Sequence, residues 1–184
     1  MERFTKFKTM IFPREVIVGH NTTDQIKGIC NHLAPSTNVL LVCDKNTKKI
    51  SGDRIEKILS GAGYEVNKVV LSLPLIKREV FPAWPTIREV NTVIKEAKKT
   101  GSDLLLGVGG GSVIDVTKCA TYELSMNFVS VPTSASHDGM ASPRASLKDK
   151  KGSVSKSAVS PMAVLADTAV IMKAPYRMLA SGCA

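Results

Sequence analysis

The chain has 184 residues with 43% hydrophobic and 22% charged side chains, enough for one domain with a proper core. No apolar run approaches the ~20 residues of a membrane span, and the N-terminus lacks the long apolar stretch of a signal peptide. The formal charge of +9 is scattered rather than clustered, and aromatics make up only 5%, which argues against a nucleic-acid stacking surface and for anionic small molecules as partners.

Four cysteines, Cys30, Cys43, Cys119 and Cys183, are widely spaced without a Cys-x-x-Cys pair. Three of them sit inside apolar patterns, so buried free thiols and a reducing, cytoplasmic setting are expected. The chain opens with two β-rich pieces, residues 9–12 and 16–18, around Pro13, which reads as a hairpin or bent strand. Thr22-x-x-Gln25 has the form of a capping box. It precedes a helical stripe of Ile26, Ile29, Cys30 and Leu33, ended by Pro35. His20 and His32 are lone histidines near element ends and read as surface groups.

Residues 38–43 form a continuous apolar run, the pattern of a parallel strand covered on both faces. Asp44 stands at its C-terminal end. There a carboxylate can accept from ribose hydroxyls or cap the next helix. Ile55, Ile58, Leu59 and Ala62 make the next helical stripe, stopped by Gly63, and Glu65–Leu71 follows as a strand. Residues 72–85 hold three prolines and Trp84 and read as a loop. Ile87, Val90, Ile94 and Ala97 form an amphipathic helix, with Lys98 and Lys99 in its last turn and Gly101 past its end.

The central stretch is Asp103-Leu104-Leu105-Leu106-Gly107-Val108-Gly109-Gly110-Gly111-Ser112-Val113-Ile114-Asp115-Val116-Thr117-Lys118. A buried strand leads into a glycine turn, and Val113, Val116 and Ala120 follow at helical spacing. Glycine lets the backbone approach a ligand closely. A helix starting at Ser112 would aim free N–H groups and its positive dipole end at a phosphate or pyrophosphate. The ordinary Rossmann fingerprint is absent, because the last position is Ser112 and no acidic residue follows about 20 residues on.

Residues 128–131 read as another strand, followed by Val131-Pro132-Thr133-Ser134-Ala135-Ser136-His137-Asp138-Gly139-Met140-Ala141-Ser142-Pro143. The hydroxyls of Thr133, Ser134, Ser136 and Ser142 can bond a nucleotide or satisfy the loop itself. Asp138 is the strongest single site candidate; His137 is a possible proton shuttle, not chosen as the base. Residues 145–158 read as a β-hairpin insertion with a solvated basic tip, residues 163–166 as a strand before Asp167, and a helix begins after Pro175. Alternating strands and helices predict an α/β fold, a Rossmann-like, doubly wound parallel sheet.

The Gly-Gly-Gly-Ser-x-x-Asp-x-x-Lys pattern resembles the superfamily of iron-containing alcohol dehydrogenase, glycerol dehydrogenase and dehydroquinate synthase. The Pro-Thr-x-x-Ser-His-Asp-Gly-x-Ala-Ser-Pro stretch is similar to the archaeal sn-glycerol-1-phosphate dehydrogenase family, and the resemblance runs from about Lys8 to the end. It implies a nicotinamide dinucleotide, NADH or NADPH, with its pyrophosphate at Gly109, Gly110, Gly111, Ser112 and Val113 and its adenosine ribose at Asp44. Thr133, Ser134, Ser136 and Ser142 would orient the nicotinamide side. Asp138 would contact substrate in reduction of dihydroxyacetone phosphate to sn-glycerol 1-phosphate, a step of archaeal membrane phospholipid synthesis.

The resemblance also implies zinc, with its ligands after Ala184 and none in this chain. Residues 1–184 would then be the nucleotide-binding, N-terminal half of a two-domain dehydroquinate-synthase-like fold, partnered by an all-helical C-terminal half and by further copies of itself. Glycerol-dehydrogenase-like or dehydroquinate-synthase-like chemistry on the same scaffold, or a nucleotide-binding module without catalysis, are the alternatives. The choice between NAD and NADP stays open, since Lys45 beside Asp44 can offset its repulsion of a 2′-phosphate.

Overall fold

A computed structural model describes residues 12–34, 36–73, 85–149 and 152–183. Six parallel strands make one sheet: β1 (Glu15–Gly19), β2 (Asn38–Asp44), β3 (Glu65–Leu71), β4 (Leu104–Gly109), β5 (Asn127–Pro132) and β8 (Ala163–Asp167), in the order β1-β8-β5-β4-β2-β3. Two further strands, β6 (Arg144–Asp149) and β7 (Gly152–Ser157), form an antiparallel hairpin between β5 and β8. The expected doubly wound α/β sheet is therefore present. The chain runs outward from β2 to β3, then returns to the other side of β2 to add β4, β5 and β8. The order reverses between β2 and β4, which places the topological switch there.

Side-chain alternation along β2 explains why both faces are covered. Val39, Leu41 and Cys43 enter one apolar layer with Ile26, Ile29 and Leu33 of α1 (Ile26–Leu33) and Ile55 and Leu59 of α3 (Asp53–Gly61). Leu40 and Val42 enter the opposite layer with Val90, Val93 and Ala97 of α4 (Ile87–Thr100) and Val113, Val116 and Ala120 of α5 (Gly111–Leu124). A strand buried on both sides reads as an unbroken apolar run for this reason. Cys30, Cys43 and Cys119 are free and buried in these layers. Burial pushes the thiol of Cys30 up to about 12 and those of Cys43 and Cys119 up to about 11, which keeps them protonated and unreactive at neutral pH.

The ends of the elements follow local chemistry in α4. Thr86 caps it, accepting from the Arg88 N–H, while Glu89 reaches back to the Thr86 N–H; Gly101 closes it at φ 64°. A residue with a Cβ strains at that φ, so glycine fits the position. Ile87 is exposed, and Val93 takes its expected place in the core, because the buried stripe is centred on Val90, Val93 and Ala97.

The Thr22–Gln25 capping box is not formed. Thr22 Oγ1 donates to the Gly19 carbonyl, and a 3-10 turn, Thr23–Gln25, precedes α1. The Gln25 N–H goes to the Thr22 carbonyl at 2.9 Å, and the start of the turn is held by Asp167 at the end of β8. It accepts from the N–H groups of Asn21 and Thr23, from Thr23 Oγ1 and from the Ala169 N–H. The strand read at residues 16–18 is present as part of β1, which pairs parallel with β8; residues 9–11, like Trp84, lie outside the described residues.

Asp167 is 3% exposed. Burial alone would raise its pKa, but these hydrogen bonds outweigh burial and hold the carboxyl below the usual carboxylate range. A folded pKa below the unfolded one gives stability that is present above the unfolded value and lost as pH falls through the folded one. Asp167→Asn should therefore cost about 1–3 kcal/mol at neutral pH, with the difference from the wild type shrinking below about pH 4. Urea unfolding of both proteins at neutral and acid pH checks this.

Candidate active site

Two clefts lie at the carboxyl ends of the strands, on either side of the N-terminus of α5. The first, about 350 Å³, is lined by Asp44, Thr47, Gly110, Thr133, Ser134 and Lys173, among others. It opens at the switch between β2 and β4, where open parallel sheets bind ligands. α5 starts at Gly111, one residue earlier than the sequence pattern indicates, with Gly110 as its N-cap and no side chain capping it. Val113 and Ile114 N–H groups bond the Gly110 carbonyl. The preceding amides of the first turn carry the helix's positive end toward the cleft.

Each glycine of the turn has its own reason. A Cβ at Gly109 would fall 2.6 Å from Val113 Cβ, so Gly109 and Val113 pack under the turn rather than in the cleft. A Cβ at Gly111 would fall 2.8 Å from His137 Cγ. Only Gly110 faces open space, its nearest neighbour being Ser134 Oγ at 3.5 Å. The turn is anchored by the Thr133 N–H, which donates to the Gly109 carbonyl at 3.0 Å.

Asp44 takes one of the two roles open to it in sequence, capping a helix, and it also lines the cleft. Its Oδ1 accepts from the Asn46 and Thr47 N–H groups at 2.7 and 2.9 Å, and Thr47 Oγ1 accepts from the Asp44 N–H, a complete capping box for α2 (Lys45–Thr47). The cap fixes the carboxylate on the cleft wall. Thr133 and Ser134 are buried, and Ser134 Oγ lies 3.1 Å from Ser136 Oγ.

The second cleft, about 290 Å³, holds Asp115, His137, Asp138, Ser142, Arg144 and Ser155. The structure thus divides the site residues inferred from sequence. Asp44, Gly110, Thr133 and Ser134 meet in the first cleft; Asp138 and Ser142 line the second. Asp138 heads a short 3-10 turn, Asp138–Ala141, and its side chain is fully exposed. Ser142 Oγ is occupied by the Arg144 backbone, donating to its carbonyl at 3.4 Å and accepting from its N–H at 3.3 Å.

Beneath the second cleft is a polar cluster that sequence reading did not single out. Lys118 is fully buried and donates to the carbonyls of Gly139 and Arg144, the latter at 2.9 Å. Asp115 Oδ1 stands 3.5 Å from Lys118 Nζ, and Oδ2 accepts from the Ser146 N–H at 3.0 Å. Burial lowers the pKa of Lys118, and Asp115 is the main influence opposing it. The Asp-x-x-Lys spacing was the available signal, since i and i+3 share one helix face.

A nicotinamide dinucleotide fits the first cleft: an uncapped helix N-terminus, a glycine facing open space and a fixed carboxylate are present together. The described residues contain no group of three or more His, Cys, Asp or Glu placed to hold a metal ion, so they form no metal centre by themselves. No described helix is long and apolar enough to cross a membrane.

The family model for iron-containing alcohol dehydrogenase matches residues 17–175. The chain belongs to this family. Among curated members, proteins named glycerol-1-phosphate dehydrogenase [NAD(P)+] are 41% identical in Methanosphaerula palustris and 45% identical in Methanoculleus marisnigri. Each match takes in 98% of this chain and 46% or 47% of the relative. The chain spans about half the length of the curated relatives it matches. Among solved structures, glycerol dehydrogenase from Schizosaccharomyces pombe has a TM-score of 0.78 at 22% identity, over 97% of this chain and 43% of that one. At this identity the likeness establishes the shared iron-containing alcohol dehydrogenase fold.

Proposed function

We propose that this chain is the nucleotide-binding half of an enzyme that reduces dihydroxyacetone phosphate to sn-glycerol 1-phosphate with NADH or NADPH, for archaeal membrane phospholipid synthesis in the cytoplasm. The observation that carries the reading is the cleft at the uncapped N-terminus of α5, in a chain matched almost end to end by relatives with that printed activity. The Gly110, Gly111 and Ser112 amides hold the pyrophosphate, with Gly109 and Val113 shaping the turn beneath. Asp44 accepts from the adenosine ribose. Thr133, Ser134 and Ser136 orient the nicotinamide side, and Ser142 fixes the backbone of the neighbouring cleft. When bound, the nicotinamide supplies the hydride, and the protein contributes binding and orientation.

Asp138 holds the substrate hydroxyls in the second cleft. Its full exposure suits a group completed by another part of the assembly. That part is a C-terminal, all-helical half bearing the zinc ligands, and the enzyme works as a homo-oligomer without nucleic acid. Dihydroxyacetone phosphate should be reduced far faster than free dihydroxyacetone; equal rates would favour a glycerol-dehydrogenase activity. Asp138→Ala in the full-length protein should lower kcat about 100-fold and change NADPH affinity less than about threefold. Affinity lost in parallel with turnover would make Asp138 a structural residue.

A further inference from the structure

Gly111, Asp115 and Lys118 stand at i, i+4 and i+7 on α5, one stripe along the helix. This stripe faces the turn after β5 and clamps the ring of His137. Gly111 leaves no room for a Cβ beside His137 Cγ, and a Cβ at Gly139 would fall 2.6 Å from His137 Cε1. Lys118 holds the Gly139 and Arg144 carbonyls, so the turn is tied to the helix on the far side of the ring's attachment.

Asp115 Oδ1 lies 3.4 Å from His137 Nε2. Both atoms are buried, and neither has a hydrogen-bond partner among the described residues that meets strict geometry. A carboxylate can only accept, so a hydrogen bond between these two atoms requires the proton on Nε2. That tautomer leaves Nδ1 as the acceptor, 3.9 Å from Asp138 Oδ1, in a ring that lines the second cleft. The charged groups facing the ring are Asp115 and Lys118 from α5, Asp138 from its own turn and Arg144 from β6.

We propose that His137 carries the proton for the second cleft and that Asp115 is the positioning residue that fixes its tautomer. The proposal rests on the reductase reading above. Reduction of a carbonyl forms a C–H bond at carbon and moves the C=O electron pair to oxygen, which must then receive a proton. The imidazolium Nδ1–H gives that proton, forming the alcohol O–H bond, and the neutral ring regains one from water.

The test uses the full-length protein as wild type, His137→Gln and Asp115→Asn. Nitrogen-15 NMR should show neutral His137 as the Nε2–H tautomer, and that preference should be lost in Asp115→Asn, whose amide can also donate to Nε2. His137→Gln should lower kcat about 100-fold and remove the histidine limb from the pH profile, with NADPH binding retained as proof of folding. A wild-type pH profile in His137→Gln, or an Nδ1–H tautomer in the wild type, would overturn the proposal. If the wild type itself does not reduce dihydroxyacetone phosphate, the functional reading fails, while the tautomer and its Asp115 dependence still decide the geometry.

Discussion

Lys118→Met lowers the stability of the fold by about 3–5 kcal/mol, a large part of the roughly 5–15 kcal/mol that holds a typical domain together. The substitution nearly preserves volume, so the loss is electrostatic and not a cavity. It leaves the carboxylate of Asp115, 4% exposed, without its cation, and leaves the carbonyls of Gly139 and Arg144 without their donor. Unpaired buried groups bear the full desolvation penalty. Adding Asp115→Asn removes the stranded charge, so the double variant should be less destabilised than the sum of the single ones. Urea unfolding of the four proteins closes the cycle. A change under about 1 kcal/mol for Lys118→Met would mean that water reaches the cluster and that the pair is not buried in solution.

Gly110→Leu leaves the fold intact and raises the dissociation constant of NADPH at least about 30-fold, or ~2 kcal/mol. A Cβ at Gly110 meets nothing closer than Ser134 Oγ at 3.5 Å, so the backbone tolerates it. The rest of the leucine side chain occupies the cleft where the pyrophosphate is proposed to sit. Gly109→Ala is the contrasting control. Its Cβ would collide with Val113, so unfolding temperature should fall first and affinity only as a consequence. Fluorescence titration with NADPH beside thermal unfolding separates the two effects. Unchanged affinity in Gly110→Leu would place the cofactor elsewhere.

The parts of the fold legible in sequence are those decided by neighbours along the chain. β3 runs over Glu65–Leu71 as read, and α4 ends at Gly101, because alternation, a cap and a positive φ are all local. The glycine turn was legible for the same reason. The Thr22–Gln25 box failed because the Gln25 N–H closes a 3-10 turn on the Thr22 carbonyl, while Asp167, 144 residues from Thr23, takes the Thr23 N–H. Asp44 stayed ambiguous in sequence because a strand-end carboxylate can cap and face a cleft at once: it caps α2 and lines the first cleft. Lys118 was invisible as a buried group, since nothing in a helix pattern distinguishes a lysine in solvent from one folded under a loop. The hairpin spans Arg144 to Ser157, one residue earlier at each end than its alternation implied, because Arg144 joins the ladder through Ser157.

The two-cleft arrangement also divides the glycine turn in a way the sequence could not show. Gly111 belongs to the glycine turn, yet its missing Cβ makes room for His137 and not for a phosphate. One helix therefore serves both clefts, presenting its N-terminus to the first and its side to the second. The turn and the loop after β5 meet at two points, Ser134 beside Gly110 and His137 beside Gly111.

The central claim is that the full-length protein consumes the cofactor bound at this turn while reducing a phosphorylated ketone. The most direct measurement is the stoichiometry of NADPH oxidised to glycerol 1-phosphate formed, with dihydroxyacetone phosphate as substrate and purified full-length protein. One NADPH oxidised for each glycerol 1-phosphate, at a rate about 100-fold lower in Asp138→Ala, is the predicted result. Tight NADPH binding with no oxidation in the presence of dihydroxyacetone phosphate would contradict it.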